Sequence, residues 1–354
     1  MTTRAGRRAN GEHEPLLDRM LTKGLWRVIV LVIATVVTVA ILSRSSGGGV
    51  GSTTSPTPTA GDTAGLSGSR GPTSLLSPPP GGDVTVPRSS HVWLLILENK
   101  TFDQIVGVPA APYLNDLISK GGLATRYQAV DHPSQPNYLA LFSGSLQGVT
   151  DDKPHDLNAT TLADQVEAAG MTWHVYAENV PKGCSNVPTA SGGVDGTGNY
   201  ARKHEPAISF TSIRNDPARC AHITPLTGFD PGVADLTIIV PNLCDDMHDC
   251  SVAVGDSWLR TFVPKITGSS AYADGGMLFI TWDEGADGTT PPNRVATIVS
   301  SPLVAPGTTS NVSHNHYSLL RTIQSALGLG CLANSCSANT LGELFTNPVP
   351  SPSG

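Results

Sequence analysis

The sequence is poor in aromatic and charged residues, which form 5% and 14% of its 354 residues. With 37 glycines and 28 prolines, this composition excludes a coiled coil, a collagen-like repeat and a wholly disordered chain. No internal repeat is visible in the sequence. The chain is therefore expected to contain a folded globular domain.

Basic residues are scarce beyond the N-terminal segment. Residues 1–44 contain seven basic and three acidic residues, a net charge of +4, whereas residues 89–354 contain 13 basic and 24 acidic residues, a net charge of −11. An electrostatic field of that sign repels a phosphate backbone. We therefore expect no nucleic-acid partner.

One hydrophobic run is long enough to cross a membrane. Val28–Ser43 contains no charge, and Leu25 and Trp26 extend it to about the 20 residues that a bilayer requires. The run ends in Ser-Arg-Ser-Ser, not in a small-x-small site, which favours a retained signal anchor over 25–43; a cleaved signal peptide is the alternative. The basic leader, 1–24, predicts a cytoplasmic N-terminus and an extracytoplasmic remainder, in a single-pass protein of the cell membrane.

The segment after the predicted anchor cannot form a core. Of the 39 residues from 45 to 83, 30 are Gly, Ser, Thr or Pro, a composition typical of a solvated tether. We therefore predict a disordered tether over 44–88 and one extracytoplasmic domain over 89–354.

All six cysteines lie in that domain, and an even number outside the cell indicates disulfides. Proximity in sequence favours Cys244–Cys250 and Cys331–Cys336, which leaves Cys184 with Cys220, although six cysteines allow 15 connectivities. A zinc site is the alternative, but none of the spacings is C-x-x-C.

Buried strands alternate with helical stretches in the domain. The predicted strands are His91–Leu97, Met171–Ala177, Ala234–Val240, Met277–Trp282 and Arg294–Ser300, and the predicted helices are Ala111–Lys120, one beginning with Asn137–Phe142, Thr161–Ala169 and His316–Leu329. Continuous apolar strands separated by helices are typical of an α/β fold whose mostly parallel sheet is covered by helices on both faces.

Polar clusters follow three of these strands. Glu98-Asn99 follows the first, a segment with Asp245-Asp246 and His248 follows Ala234–Val240, and Asp283-Glu284 follows Met277–Trp282. Because ligands bind at the carboxyl ends of parallel strands, these clusters are expected to converge. Carboxylate, amide and imidazole groups together predict a divalent metal site, whereas turn and cap residues are the alternative interpretation.

Ser134 is the candidate nucleophile. It lies in the segment His132-Pro-Ser-Gln-Pro-Asn137, a turn that leads into a predicted helix, where backbone N–H groups and the helix dipole suit a phosphate. Turn serines are common, however, and His132 is equally consistent with a supporting or a purely structural role.

Basic side chains cluster at Arg202, Lys203 and His204, and another lies at Arg294. A solvated charge run is the alternative at the first of these positions. His316 opens the last predicted helix and is expected to face the same crevice, whereas the neighbouring His314 is expected to be exposed.

Six motifs in this order resemble the acid phosphatase/phospholipase C phosphoesterase family of the alkaline-phosphatase superfamily. They are Glu98-Asn-Lys-Thr-Phe-Asp103, His132-Pro-Ser-Gln-Pro-Asn-Tyr138, Tyr200-Ala-Arg-Lys-His204, Pro241-Asn-Leu-Cys-Asp-Asp-Met-His-Asp249, Trp282-Asp-Glu284 and His316-Tyr317. The sequence is most similar to secreted actinobacterial acid phosphatases, and the resemblance extends from about Ser90 to Gly328.

The resemblance implies roles for individual residues. Ser134 would be the nucleophile, with His248 and His204 as further catalytic groups and His248 as the favoured acid. The implied metal ligands are Glu98, Asn99, Asp283 and Glu284, to which His316 and Asp246 are added, and the ion would be Mg, Ca, Mn or Zn. The predicted phosphate ligands are Arg202, Lys203, Asn137 and Arg294.

The predicted function is a metal-dependent acid phosphatase that hydrolyses phosphate monoesters, phosphoinositides among them, through a phosphoserine. Its partners would be small phosphate esters or lipid headgroups. A phospholipase C-like phosphodiesterase is the first alternative, and a non-catalytic surface-binding protein on the same fold is the second.

Overall fold

The computed structural model describes residues 85–190, 199–286 and 293–345, all within the compact unit Ser77–Gly354. The predicted leader and anchor, and nearly all of the predicted tether, lie outside the described residues. Within the described residues, no helix has the length and hydrophobicity needed to cross a membrane.

An eight-stranded sheet forms the centre of the described domain, with a separate two-stranded pair beside it. The strands are β1 Val92–Leu97, β2 Gly122–Gln128, β3 Trp173–Ala177, β4 Thr189–Ala190, β5 Tyr200–Ala201, β6 Ile223–Thr224, β7 Leu236–Val240, β8 Met277–Trp282, β9 Thr297–Ser300 and β10 Thr308–Asn315. The order in the sheet is β10-β2-β9-β8-β1-β7-β3-β6, and β4 pairs with β5. Strand β9 runs antiparallel to both of its neighbours, and the other pairs in the large sheet are parallel.

Helices connect and cover the strands. They are α1 Phe102–Ile105, α2 Pro112–Lys120, α3 Ser134–Ser143, α4 Leu162–Ala168, α5 Thr211–Arg214, α6 Pro217–Cys220, α7 Val252–Thr267, α8 Ser270–Ala273 and α9 His316–Leu327. Short 3₁₀ turns lie at Arg202–His204, Ala207–Ser209, Ala333–Ser337 and Gly342–Phe345. Helix α3 packs against α9 and α4, and α2 packs against α7.

The central strands are buried along their whole length. Every residue of β1, β7 and β8 is buried. Because successive side chains of a strand point to opposite faces, both faces of this part of the sheet are covered. The predicted mostly parallel α/β architecture is therefore confirmed.

The three predicted disulfides are confirmed. Cys184 pairs with Cys220, Cys244 with Cys250 and Cys331 with Cys336, which leaves no free cysteine. The Cys244–Cys250 bridge closes the loop after β7, and the Cys331–Cys336 bridge closes a loop after α9.

Helix α3 ends at a glycine that no other residue can replace without strain. Gly144 has φ 69°, and its N–H donates to the Ala140 carbonyl at 3.0 Å. A Cβ at this position would lie 2.2 Å from the Leu332 carbonyl oxygen. Gly148 has nearly the same backbone angle, φ 72°, but a Cβ there would meet nothing within 4 Å.

We expect Gly144→Ala to lower the free energy of unfolding more than Gly148→Ala. Both variants bear the conformational cost of a left-handed alanine, roughly 1–2 kcal/mol, but only Gly144→Ala also forces the backbone of α3 away from Leu332. Denaturant midpoints of the two variants measure the difference. Equal losses of stability would contradict the close packing at the end of α3.

Candidate active site

The polar clusters after the central strands meet at one edge of the sheet. Glu98 follows β1, and its N–H donates to the Asp246 carbonyl, on the loop after β7, at 2.9 Å. Asn99 has φ 48°, and its N–H donates to Oδ1 of Asp283, which directly follows β8, at 3.1 Å. The structure thus brings together the carboxylates that the sequence analysis expected to converge.

Ser134 lies between two of these carboxylates. It is the first residue of α3, with 1% of its surface exposed. Its Oγ lies 3.1 Å from Oε2 of Glu98 and 3.3 Å from Oε1 of Glu284. His132 contacts the other oxygen of Glu284 through Nδ1. The hydroxyl therefore has two carboxylates within reach that could accept its proton.

Asn137 is part of the scaffold of this turn. Its Oδ1 accepts hydrogen bonds from the N–H groups of Val130 and Asp131, at 3.0 and 3.1 Å, and its Nδ2 donates to the carbonyls of Asp131 and Pro133. These bonds occupy both ends of the amide, so Asn137 supports the segment that presents Ser134, and its predicted phosphate-binding role stays a prediction.

A histidine and two acids form a compact buried group at the same edge. One ligand atom from each of Glu98, His204 and Asp246 lies within 4.8 Å of the others. His204 Nε2 is 3.2 Å from Oε1 of Glu98, and its Nδ1 is 3.5 Å from Oδ2 of Asp246. Tyr138 donates its hydroxyl hydrogen to Glu98, and its ring stacks on His204 with the centroids 5.3 Å apart.

Burial and mutual repulsion shift the pKa values of these acids upward. Burial, followed by the charges of Asp283 and Asp246, raises the pKa of Glu98 well above its usual range. Burial likewise raises the pKa of Asp246 strongly and that of Asp283 to about 7. For His204, burial and the nearby positive charges of Lys203 and His248 lower the pKa, so its imidazole is neutral.

The buried polar atoms without hydrogen bonds fit a divalent cation. Among the described residues, they include Asn99 Oδ1, His204 Nε2, Asp246 Oδ2 and Asp283 Oδ2. Buried polar atoms normally have partners, and a cation would satisfy several of these together and relieve the repulsion between the acids. The donor set is rich in oxygen and includes one imidazole, which suits Mg, Ca, Mn or Zn. This group could therefore hold a metal.

His316, predicted to be a metal ligand, has both ring nitrogens in contact with other groups. His316 is fully buried, its Nδ1 lies 2.9 Å from the Tyr127 hydroxyl, and its Nε2 lies 2.6 Å from the Asp283 carbonyl oxygen. Burial lowers its pKa to about 4, which is consistent with a neutral ring that donates from Nε2. Since both ring nitrogens are engaged, His316 positions the backbone of Asp283. His314, expected to be exposed, is also buried and contacts Glu343.

Two predicted phosphate-binding arginines have structural partners. The guanidinium of Arg202 is buried, with Nε 2.7 Å from Oδ1 of Asn186 and its terminal nitrogens at Ser209 and at the carbonyls of His155 and Ile208. Arg294 lies with its guanidinium carbon 3.6 Å from the centroid of the Phe102 ring, and its Nε donates to the Thr125 carbonyl. These contacts hold both guanidinium groups in place, and the predicted phosphate-binding roles stay predictions.

Lys203 and His248 lie beside the buried acids and partly face solvent. Both line a pocket of about 180 Å³ together with Asp152. The His248 ring is 5.9 Å from that of His204, and its Nδ1 lies 2.7 Å from Oδ1 of Asp249. Lys203 donates to Oδ2 of Asp152 at 2.9 Å. These two side chains remain placed to contact a substrate.

Sequence reasoning missed three supporting residues: Tyr138, Tyr127 and Asp152. Tyr138 belongs to a quoted motif but carried no assigned role, although it contacts Glu98 directly. Tyr127 lies on β2, which the sequence did not predict, and Asp152 lies in a loop without a motif. Only Tyr138 had a signal in the sequence, namely its position four residues after Ser134 on the same helix face.

Comparisons with known proteins bear on the identity of this site. The phosphoesterase family profile matches residues 108–330. The phosphatidylinositol-3-phosphatase of Mycobacterium tuberculosis is 34% identical over 267 residues, which cover 73% of this chain and 84% of that protein. The phosphate-repressible acid phosphatase of Penicillium chrysogenum is 30% identical over 72% of this chain, but the match spans only 62% of that protein. A phosphonate monoester hydrolase of Agrobacterium radiobacter shares the fold, with a TM-score of 0.50 at 12% identity over 74% of this chain and 78% of the other.

We expect a divalent cation to raise the melting temperature of chelator-treated protein. A ligand that binds only the folded state adds about 2.7 kcal/mol of stability at about 100 times its Kd. Thermal unfolding with Mg, Ca, Mn or Zn measures the shift. Asp283→Asn should abolish it, whereas Asp116→Asn, which removes an exposed acid on α2, should not. The absence of a shift with all four ions would contradict the metal site.

Proposed function

The chain belongs to the phosphoesterase family, the enzymes that hydrolyse phosphoric ester bonds, and from that premise we propose that it is a metal-dependent acid phosphatase acting on monoesters through a phosphoserine. The observation that carries this proposal is the buried Ser134 hydroxyl between Glu98 and Glu284, at the start of α3. A protein that only binds ligands has no need for this arrangement.

In the first step, Ser134 attacks the phosphorus atom. Its Oγ forms the new P–O bond while its proton passes to Glu98 or Glu284, the two carboxylates within hydrogen-bond distance. The ammonium of Lys203 and the positive end of the α3 dipole stabilise the phosphoryl oxygens. The bond between phosphorus and the alcohol oxygen breaks with its electron pair on the alkoxide.

A metal held by Glu98, Asn99, Asp246, Asp283, Glu284 and His204 would act as a Lewis acid on the phosphoryl group. All of these ligands except Asn99 are at most 1% exposed, which keeps competing water away from them. The neutral state of His204 suits a ligand role better than the catalytic role predicted for it.

His248 is the proposed acid for the departing alkoxide. Its ring lines the pocket beside Lys203, and its contact with Asp249 fixes the orientation of the imidazole. After the alcohol leaves, a water molecule that transfers a proton to His248 attacks phosphorus. This second displacement breaks the bond to Ser134, returns a proton to its Oγ and releases inorganic phosphate.

The monoester preference follows from charge and space. A monoester dianion presents three terminal oxygens, which Lys203, the start of α3 and a cation can engage together, whereas a diester has one fewer and carries a second organic group. A phospholipase C-like phosphodiesterase remains the alternative. Since the mycobacterial relative is a phosphatidylinositol-3-phosphatase, we include phosphoinositide monoesters among the proposed substrates.

Ser134→Ala is expected to abolish hydrolysis of p-nitrophenyl phosphate, because no other hydroxyl lies between Glu98 and Glu284 in the described residues. Steady-state rates measure this, and a melting temperature close to that of the wild type shows that the fold is intact. Ser145→Ala, in the loop after the same helix, is the matched control and should remain active. Substantial activity in Ser134→Ala would overturn the covalent mechanism.

The same assay with bis-p-nitrophenyl phosphate distinguishes the two ester classes. The wild-type enzyme should have the higher kcat/KM for the monoester. Faster cleavage of the diester would favour the phosphodiesterase alternative instead.

We further propose that residues 25–43 anchor the enzyme in the membrane, with the active site outside the cell. The three disulfides support an oxidising compartment. The full chain should remain in the membrane pellet after an alkaline carbonate wash, and a chain without residues 25–43 should be released. Release of both proteins would contradict the anchor.

A further inference from the structure

Asp152 joins the start of the nucleophile helix to Lys203. Its Oδ1 accepts a hydrogen bond from the N–H of Gln135, the second residue of α3, at 3.0 Å, and its Oδ2 accepts one from Lys203 Nζ at 2.9 Å. The side chains of Asp152 and Lys203 are 31% and 23% exposed, so both can be reached from solvent. The carboxylate therefore links Lys203, whose ammonium could hold a phosphoryl oxygen, to the helix that presents Ser134.

Lys203 depends on Asp152 for the position of its ammonium group. In the described residues, its ammonium makes its one hydrogen bond and its one ion pair with Asp152. A lysine side chain is long and flexible, and the buried acids attract its ammonium. Without Asp152, this hydrogen bond would be lost and the ammonium would no longer be tied to the start of α3.

The ammonium keeps donors for a substrate while it is bound to Asp152. It carries three N–H groups, and its contact with Asp152 requires only one of them. The backbone around Asp152 is fixed from the other side by α3, because the Gln135 N–H binds the same carboxylate. The arrangement thus holds the ammonium of Lys203 near the start of α3. The ammonium still has N–H groups that can bind a substrate.

We propose that Asp152 is a positioning residue that holds Lys203 at the start of α3, where its ammonium binds the phosphoryl oxygens of the substrate and of the phosphate product. This inference rests on the proposed function, since it assumes that Ser134 is the phosphorylated group. Asp152 itself does not touch the reacting atoms. It acts through Lys203.

Kinetics of Asp152→Asn, Lys203→Met and the double variant test the proposal. Losing one charge-assisted hydrogen bond should raise KM for p-nitrophenyl phosphate, and Ki for inorganic phosphate, by about tenfold in each single variant, with a smaller change in kcat. Because Asp152 acts through Lys203, the double variant should be no weaker than Lys203→Met alone. A general loss of structure would lower kcat and the melting temperature and would not give this pattern.

The adjacent Asp151 provides the matched control. Its carboxylate pairs with Lys153 and His155 and does not contact α3 or Lys203 in the described structure. Asp151→Asn should keep the wild-type KM and Ki. Ser134→Ala, assayed in parallel, tests the proposed function separately.

Three results would overturn the inference. They are KM and Ki within about twofold of wild type in Asp152→Asn, tighter phosphate binding in that variant, or losses in the double variant that are the sum of the single losses. If Ser134→Ala is inactive, any of these refutes the role of Asp152 and leaves the phosphatase mechanism standing. If Ser134→Ala is active, the mechanism itself fails.

Discussion

Repulsion between buried carboxylates is the constraint on which the rest of this site depends. Glu98, Asp246, Asp283 and Glu284 are each at most 1% exposed, and burying a carboxylate costs several kcal/mol unless partners compensate. Hydrogen bonds compensate in part, as the backbone N–H of Asn99 does for Asp283. Burial remains the main cause that raises the pKa values of Glu98 and Asp246, so these bonds offset only part of its cost. A divalent cation bound by this group would supply the missing positive charge.

The surrounding elements fix these acids by their backbones as well as by their side chains. The Asp246 carbonyl binds the N–H of Glu98, and the Cys244–Cys250 bridge restrains the loop that contains Asp246. His316 likewise restrains the backbone of Asp283 by a hydrogen bond to its carbonyl oxygen. Helix α3 then places Ser134 against Glu98 while Asn137 holds the preceding turn. Rigid placement of this kind lets a hydroxyl approach two carboxylates that would otherwise turn towards water.

The sequence predicted the parts of the fold in which hydrophobic pattern and burial coincide. Strands β1, β7 and β8 are apolar throughout because both faces of the sheet are covered there. Strand β10 was not predicted because most of its residues are exposed or half-buried. Helix α7 was not predicted because Gly255 and Pro264 interrupt its hydrophobic pattern. At the site, the sequence located the polar residues but not their partners. Arg202, for example, has the residue type of a phosphate ligand. In the structure its guanidinium contacts Asn186 and two backbone carbonyls, and the sequence alone does not show the direction of the side chain.

The contacts of the basic side chains limit how this acidic domain can bind an anion. Residues 89–354 have a net charge of −11, so an approaching phosphate meets a repulsive field. Arg202 is hydrogen-bonded to Asn186, and Arg294 lies over the ring of Phe102. Lys203, the third basic side chain predicted to bind phosphate, lies beside the site and forms an ion pair with Asp152. Lys203 and the end of the α3 dipole offset only part of the charge of a phosphate dianion and the buried acids. If the proposed cation binds the acids, it also lowers the repulsion that a phosphate meets, so we propose that metal binding and phosphate binding are coupled at this edge of the sheet.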